Sequence, residues 1–511
     1  MREHLLSILL ASPLSGALVL LFVPYKAFRT IRAVALASAI PTVLIAAALP
    51  ALYDGAQGGF QFQEVWPVIP SIGVDLRLAV DGISVALVVL TAAIYATAIF
   101  TSWKLREREK EFFLFLALLV CGVFGVFISL DLFLFFLFYE LAVLPMYVLI
   151  GIWGSTMVIP GQGPFRRAFE AVRVGTKEYG AMKLTLYLLA GSAFILVGLF
   201  VLWVEGGKFL PAPTFDLLAL REIPLAPDLQ TVLFLLFYVG FGVLAGIWPF
   251  HTWSPDGHAA APAAGSMMHA GVLMKLGAFG VLRLCFDLLP AAAQEWAWLV
   301  GTVAVINIVY GAIAAGWQTD IKYLIAYSSV SHMGIVMLGM ACLTEAGIAG
   351  SVFQMVSHGI MTALLFTIVN LVYHKAHVRD MTRMGGFGRA MPGLATAFTV
   401  AGLASLGLPG LSGFVAEFLV FLGAWRSAHA WWLFPAVLGA FITAIYVLRA
   451  VRTIFLGPLD PAFADLEDAR GTERVTLVAL GALLVVFGVY PRLLLDPIHV
   501  GVGELLSRLG G

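Results

Sequence analysis

Apolar stretches of about twenty residues recur along this chain, and no other feature limits its fold as strongly. Coiled into a helix, each is long enough to cross the hydrocarbon of a bilayer. By length and apolarity the spans run from 5 to 24, 33 to 52, 79 to 102, 112 to 129, 132 to 153, 182 to 204, 229 to 250, 262 to 284, 297 to 316, 323 to 342, 348 to 373, 393 to 425, 431 to 450 and 475 to 495. With 61% apolar and 12% charged residues over 511 positions, the chain cannot bury one core and show water a charged surface. The sequence therefore predicts an all-α integral membrane protein of about fourteen transmembrane helices. The first span leads into Lys26, Arg29 and Arg32 without a small-residue cleavage site, so it reads as a retained helix and not a removable signal.

Short loops rich in Lys and Arg stay on the side where a membrane protein is made. Alternating the loops across the spans places twenty basic residues on one side, among them Lys26, Arg32, Lys104, Arg106, Lys177, Lys322, Arg379 and Arg449. The other side carries seven, from Arg2 and Arg77 to Arg492 and Arg508. This bias predicts both termini outside. The formal net charge of zero gives no sign of nucleic acid or any other charged partner.

Cys121, Cys285 and Cys342 lie far apart in or beside apolar spans, with no spacing that could hold an iron–sulfur cluster or a structural zinc. They read as small core residues. No glycine-rich nucleotide loop follows a strand pattern, so no cofactor is expected in this chain, and energy must come from a partner. His251, His258 and His269 cluster by position, but spacings of seven and eleven are not those of a zinc site.

Two stretches interrupt the helical pattern inside the membrane. One is Gly246-Ile247-Trp248-Pro249-Phe250-His251 with Ser254-Pro255-Asp256-Gly257-His258; the other is Leu406-Gly407-Leu408-Pro409-Gly410-Leu411-Ser412-Gly413. Backbone opened at membrane depth is tolerated only where protein buries it or water lines it. The breaks fall in spans seven and twelve, five apart, so the broken helices run in opposite directions. Such a pair points to two inverted five-helix repeats with a transport site between them. The expected units are residues 1–111 (three helices), 112–284 (helices 4–8), 297–450 (helices 9–13) and 451–511 (a loop and the last helix). Between spans five and six, residues 155–180 carry Pro160-Gly161-Gln162-Gly163-Pro164 and then Arg166, Arg167 and Arg173. That segment reads equally as a short interfacial helix or a solvated loop.

An ionisable group deep in a span costs roughly 2.5–3.5 kcal/mol on insertion scales and is a functional hypothesis by default. Glu140, Lys275 and Glu417 are such groups, each set in an apolar run. His332 and His358 lie between Lys275 and Glu417 in chain order. Imidazole can both give and take a proton near neutral pH, which suits a relay.

Several segments carry a likeness: Phe138-Tyr139-Glu140-Leu141 with Leu144-Pro145-Met146-Tyr147, Gly151-Ile152-Trp153-Gly154, Lys177-Glu178-Tyr179, Trp248-Pro249-Phe250-His251-Thr252-Trp253, Ala270 to Gly277, Leu324 to Gly334, and Leu408-Pro409-Gly410 with Glu417-Phe418. Over nearly its whole length the chain resembles the subunit M (mitochondrial subunit 4) type of respiratory complex I, NADH-quinone oxidoreductase, within the Mrp antiporter-like family. The resemblance implies a proton-translocating subunit of the bacterial inner membrane, driven by quinone reduction elsewhere in the complex. NAD, FMN, iron–sulfur clusters and quinone are then expected in partner subunits, and neighbouring antiporter-like subunits as partners. The chain would be an enzyme only as part of that translocase, without redox chemistry of its own. By the same likeness Glu140 is the input-side glutamate, Lys275 the central lysine, His332 and His358 the connecting relay and Glu417 the output-side group. One position departs: the family lysine seven residues before the histidine of the broken seventh helix is here Leu244. The alternatives are a subunit of an Mrp-type sodium/proton antiporter or a membrane-bound hydrogenase, and a complex I subunit that has lost pumping.

Overall fold

A computed structural model describes residues 4–156 and 173–510. Thirteen of its helices are long and apolar enough to cross a membrane. They are α1 (Leu5–Phe22), α2 (Phe28–Leu52), α3 (Gly82–Thr101), α4 (Glu109–Ile128), α5 (Leu132–Trp153), α6 (Lys177–Phe209), α7 (Pro227–Ala260), α8 (Ala263–Asp287), α9 (Pro290–Trp317), α10 (Ile321–Ala341), α11 (Glu345–Ala376), α13 (Ala430–Phe455) and α14 (Thr472–Val489). The remaining crossing, α12, comes in two pieces, Pro392–Ser405 and Ser412–Arg426. Each inferred span overlaps a helix; the helices extend by several residues into polar flanks at α6 and α11, whereas the last span, read to 495, ends at Val489 and the third, read from 79, starts at Gly82.

Many helix starts are marked by capping side chains. Asp131 accepts from the Leu134 N–H ahead of α5, and Asp320 from the Lys322 and Tyr323 N–H groups ahead of α10. Thr176 and Thr344 do the same for α6 and α11. Each satisfies backbone donors that the helix itself leaves free.

Both breaks occur where the sequence places them. Helix α7 stops at Ala245, Gly246 takes a left-handed φ of 73°, and the chain re-enters a helix at Trp253. In α12, Gly407 has φ 72°, and a Cβ there would lie 2.8 Å from Glu417 Oε2. Glycine at 407 is therefore needed twice, for the backbone turn and for room beside the carboxylate.

The enclosure is uneven. Along their apolar windows α8 and α11 are buried throughout, whereas about two thirds of α2, α13 and α14 faces outward. Lipid-facing helices thus surround a central group in which α8, α10 and α11 lie deepest. Helix α8 widens into π-helical turns at His269–Leu273 and Val281–Asp287, on either side of Lys275.

Two elements outside the spans add to the sequence reading. Residues Gln61–Ile69 (β1) and Val74–Val80 (β2) form an antiparallel hairpin on the face that carries Arg77 and Arg492. Its Glu64 accepts from the Leu6 N–H, and its Arg77 carbonyl from the Leu130 N–H. Beyond α14 an amphipathic helix, α15 (Arg492–Arg508), buries Leu494, Ile498, Val502 and Leu505, the i, i+4, i+8, i+11 stripe of a surface helix. The same face holds a buried ion network. Arg283, at the end of α8, lies 2.5 Å from Asp81, the cap of α3, and 3.5 Å from Asp287, which also binds Arg221. Burial alone would raise the Asp81 pKa, but Arg283 and the Ser84 N–H hold it below the usual carboxylate range.

Most of the 155–180 segment, residues 157–172, lies outside the described residues. Of its two ends, the Ser155 N–H donates to the Ala260 carbonyl at 2.8 Å, and the other enters α6 through its Thr176 cap.

Candidate ion-relay site

Four of the five sequence candidates meet in one place. Lys275 projects from α8 just after the π-helical turn His269–Leu273, a distortion frequently found at functional sites. Its Nζ donates to the Ala270 carbonyl and lies 2.6 Å from His358 Nδ1 on α11. When Lys275 is an ammonium it has only donors, and His358 then accepts through Nδ1 and carries its proton on Nε2. That Nε2 has no protein partner among the described residues.

From His358 the ring of His332, on α10, is 5.3 Å away between centroids. His332 Nε2 is 3.1 Å from the Ser405 hydroxyl, at the last residue before the break in α12. Its Nδ1 sits between the Gln354 amide at 3.1 Å and Glu417 Oε1 at 3.5 Å. The first is a hydrogen bond; the second falls a few tenths of an ångström short of one. Ser357 and Ser412 hydroxyls, 2.8 Å apart, tie α11 to the second piece of α12 beside them. Lys275, His358, His332 and Glu417 are all buried, and together they form a run of ionisable groups across α8, α11, α10 and α12.

The fifth candidate stands apart. Glu140, on α5, is half-buried and its carboxylate accepts from the Ser192 hydroxyl of α6. No salt bridge to it exists among the described residues. Leu244, fully buried on the first piece of α7, occupies the position where the resemblance calls for lysine. Helices α6 and α7 approach closely here, with a Cβ at Gly191 falling 2.8 Å from the Gly240 carbonyl and 3.2 Å from Val243.

Charge on this side of the molecule is held elsewhere. Lys183 of α6 pairs with Asp256 of the second piece of α7 at 2.7 Å, and the Tyr323 hydroxyl donates to the other carboxylate oxygen at 2.9 Å. The sequence candidates did not include this pair, nor Ser192, Gln354 and Ser405. Lys183 and Asp256 could have been flagged as charges within or beside spans; the three neutral residues carry no sequence signal, because a polar side chain in a helix acquires a role only from what packs opposite. Of the histidines around the α7 break, His258 and His269 of α8 have rings 4.0 Å apart and His269 lies 5.0 Å from the Trp253 ring, whereas His251 packs against Tyr310. Among the described residues no group of three or more His, Cys, Asp or Glu could hold a metal ion.

The model of the family described as "NADH:quinone oxidoreductase/Mrp antiporter, TM" matches residues 172–443, which contain both breaks and the whole Lys275–Glu417 run. The chain belongs to that family. It is an antiporter-like membrane subunit of the complex I kind, multi-pass, with a fold shared by NADH:quinone oxidoreductase/Mrp antiporter proteins. It is 37% identical to "NAD(P)H-quinone oxidoreductase chain 4 3" of Trichormus variabilis, over 98% of this chain and 91% of that protein. It is 36% identical to "NADH-quinone oxidoreductase subunit M" of Rhodobacter capsulatus, over 99% of this chain and 97% of the relative. A chain of respiratory complex I from Thermus thermophilus superposes with a TM-score of 0.85 at 26% identity, covering all of both chains. In the Mrp complex of Dietzia a chain shares the fold with a TM-score of 0.81 at 18% identity, over 100% of this chain and 99% of that one.

Proposed function

We propose that this subunit translocates protons in a NADH-quinone oxidoreductase of the bacterial inner membrane, through a relay made of Lys275, His358, His332 and Glu417. The observation that carries the reading is the 2.6 Å contact of Lys275 with His358, continued through His332 to Glu417 inside an apolar enclosure. Buried charges of this kind are costly, and four of them in sequence across four helices exceed what packing requires. The proton on Lys275 can pass to His358 Nδ1, leaving a neutral amine, and that ring can release its other proton from Nε2. His332 and Glu417 repeat the exchange, so one proton moves for each one taken up and only N–H and O–H bonds change.

Quinone reduction in partner subunits drives the cycle, with NAD, FMN and iron–sulfur clusters held there, and neighbouring antiporter-like subunits flank this one. The face rich in Lys and Arg lies inward and both termini outside. A second reading is favoured by Leu244 and by the bond of Glu140 to a serine in place of a cation: the first five-helix unit lacks an ion pair at Glu140, and pumping by this subunit relies on Lys275 together with the second unit. The test is the number of protons moved per electron by the intact complex in sealed vesicles, with Lys275→Ala. Electron transfer with a reduced proton count supports the relay; an unchanged count in an assembled Lys275→Ala complex removes it. A sodium-dependent, proton-independent count would instead point to sodium as the ion.

A further inference from the structure

The relay has a well-defined end at Glu417 but, with Glu140 isolated, no evident source of protons at the Lys275 end. Three observations outside the relay converge on one. A cavity of about 620 Å³ opens at the basic face, between the α3–α4 loop, the end of α5, the α7–α8 corner and the ends of α10 and α11. Lys322 lines it and is itself buried, 1% exposed. Its Nζ donates to the Ala261 carbonyl at 3.1 Å, at the corner between α7 and α8. The neighbouring charges neutralise each other: Arg379 and Asp320 pair at 3.0 Å, so no carboxylate forms a salt bridge with the Lys322 ammonium among the described residues.

Behind that corner, the Ser266 hydroxyl donates to the carbonyls of Ala261 and His258, at 3.3 and 3.2 Å. The His258 and His269 rings follow. Both are completely buried, and none of their four ring nitrogens has a hydrogen-bond partner among the described residues. Buried polar atoms left without protein partners are the usual mark of internal water. Two histidines side by side with all four nitrogens unpartnered among the described residues, linked through Ser266 and the Ala261 carbonyl to a lysine that lines the cavity, form a polar file and not a set of packing residues. His269 directly precedes Ala270, whose carbonyl accepts from the Lys275 Nζ.

We propose that Lys322 and the His258–His269 pair form the intake branch of the relay, taking protons from the basic face through this cavity and passing them by water to Lys275. The inference rests on the proton-relay reading above. In each passage Lys322 gives one proton inward, is left as a neutral amine and regains a proton from cavity water. A histidine of the pair accepts on one ring nitrogen and releases from the other, so no bond other than N–H or O–H changes. The competing role for Lys322 is structural, as a donor that closes the C-terminus of α7 at Ala261.

The two roles separate by substitution in the intact complex. Lys322→Arg keeps a permanent cation able to cap Ala261 but cannot release its proton at any working pH. It is expected to assemble, transfer electrons and lose this subunit's share of proton movement. Lys322→His is expected to restore that share, with pumping falling off at a lower pH than in the unmodified complex. Normal proton counts in Lys322→Arg overturn the intake branch, and if Lys275→Ala still abolishes the same share, the relay itself stands. Should the Lys322 variants not assemble, Asn370→Cys decides: Asn370 lines the same cavity from α11. Against the unmodified complex as control, a charged thiol reagent added on the basic face should slow proton movement more than electron transfer. Absence of that difference overturns the proposal.

Discussion

The two five-helix units use the same devices, a broken helix and a buried glutamate, and wire them differently. In the second unit Glu417 faces His332, which contacts Gln354 and Ser405 and leads on to His358 and, across on α8 of the first unit, to Lys275. In the first, Glu140 meets a serine hydroxyl and a leucine stands at the position where a cation is expected. A glutamate in a span thus meets different neighbours in the two units. What it can do follows from whether a group of changeable charge lies within a few ångströms, since an opposite charge and a neutral hydroxyl favour different protonation states.

The largest effect is expected from the matched pair Glu417→Gln and Glu140→Gln, compared by protons moved per electron in sealed vesicles. Glu417→Gln should remove this subunit's share, whereas Glu140→Gln should leave the count within error of the unmodified complex. Equal losses in both would erase the contrast between the units.

Next in size is an attempt to convert the first unit into a likeness of the second. Leu244→Lys places a cation in a dry helix interface, and an unpaired buried charge costs about 3–5 kcal/mol. With Glu140 intact the lysine gains a partner, so the same substitution should be markedly less costly than in the Glu140→Gln background. A double-mutant cycle on thermal stability in detergent reads that coupling. Simple additivity would mean that residue 244 cannot reach Glu140.

The Lys183–Asp256 pair sharpens the comparison further, because it holds the charge that Glu140 lacks. Lys183→Met leaves Asp256 to Tyr323 alone. The pair is only partly buried, so the loss should be about 1–2 kcal/mol, between exposed and buried ion pairs, as read by the shift of the melting midpoint. No shift would make the pair a surface contact without consequence. Smallest is Ser192→Ala, which deletes one hydrogen bond to Glu140 and should cost about 1 kcal/mol, with proton counts unchanged. A loss of pumping on Ser192→Ala would place Glu140 back on the proton path.

Much of this architecture was legible without coordinates because its causes are local. A run of twenty apolar residues must be a helix in lipid, where every backbone donor and acceptor has to be satisfied within the segment. Gly246 and Gly407, with Pro249 and Pro409 close by, mark the breaks through their own backbone preferences. The hairpin at Gln61–Val80 went unread because its residues are short of any strong alternating pattern, and α15 because its apolar stripe follows α14 after a single turn. Lys275, His332, His358 and Glu417 were recognisable one at a time, as charges whose burial is costly.

Which of those charges belong together was decided only by the tertiary structure. Chain order puts Lys275 first and His332 next, yet Lys275 touches His358, 83 residues away and one crossing beyond the helix that carries His332. Glu140 looks in sequence like Glu417, an acid in an aromatic and aliphatic run. Packing gives one a histidine and the other a serine. Membrane helices are specified one by one through the thickness of the bilayer, but a proton moves between side chains a few ångströms apart, and that separation depends on crossings and rotations that no single segment encodes. The sequence by itself determined how many helices cross, where two of them break and which residues are too costly to be incidental. The assembled bundle determined which of those residues lie side by side.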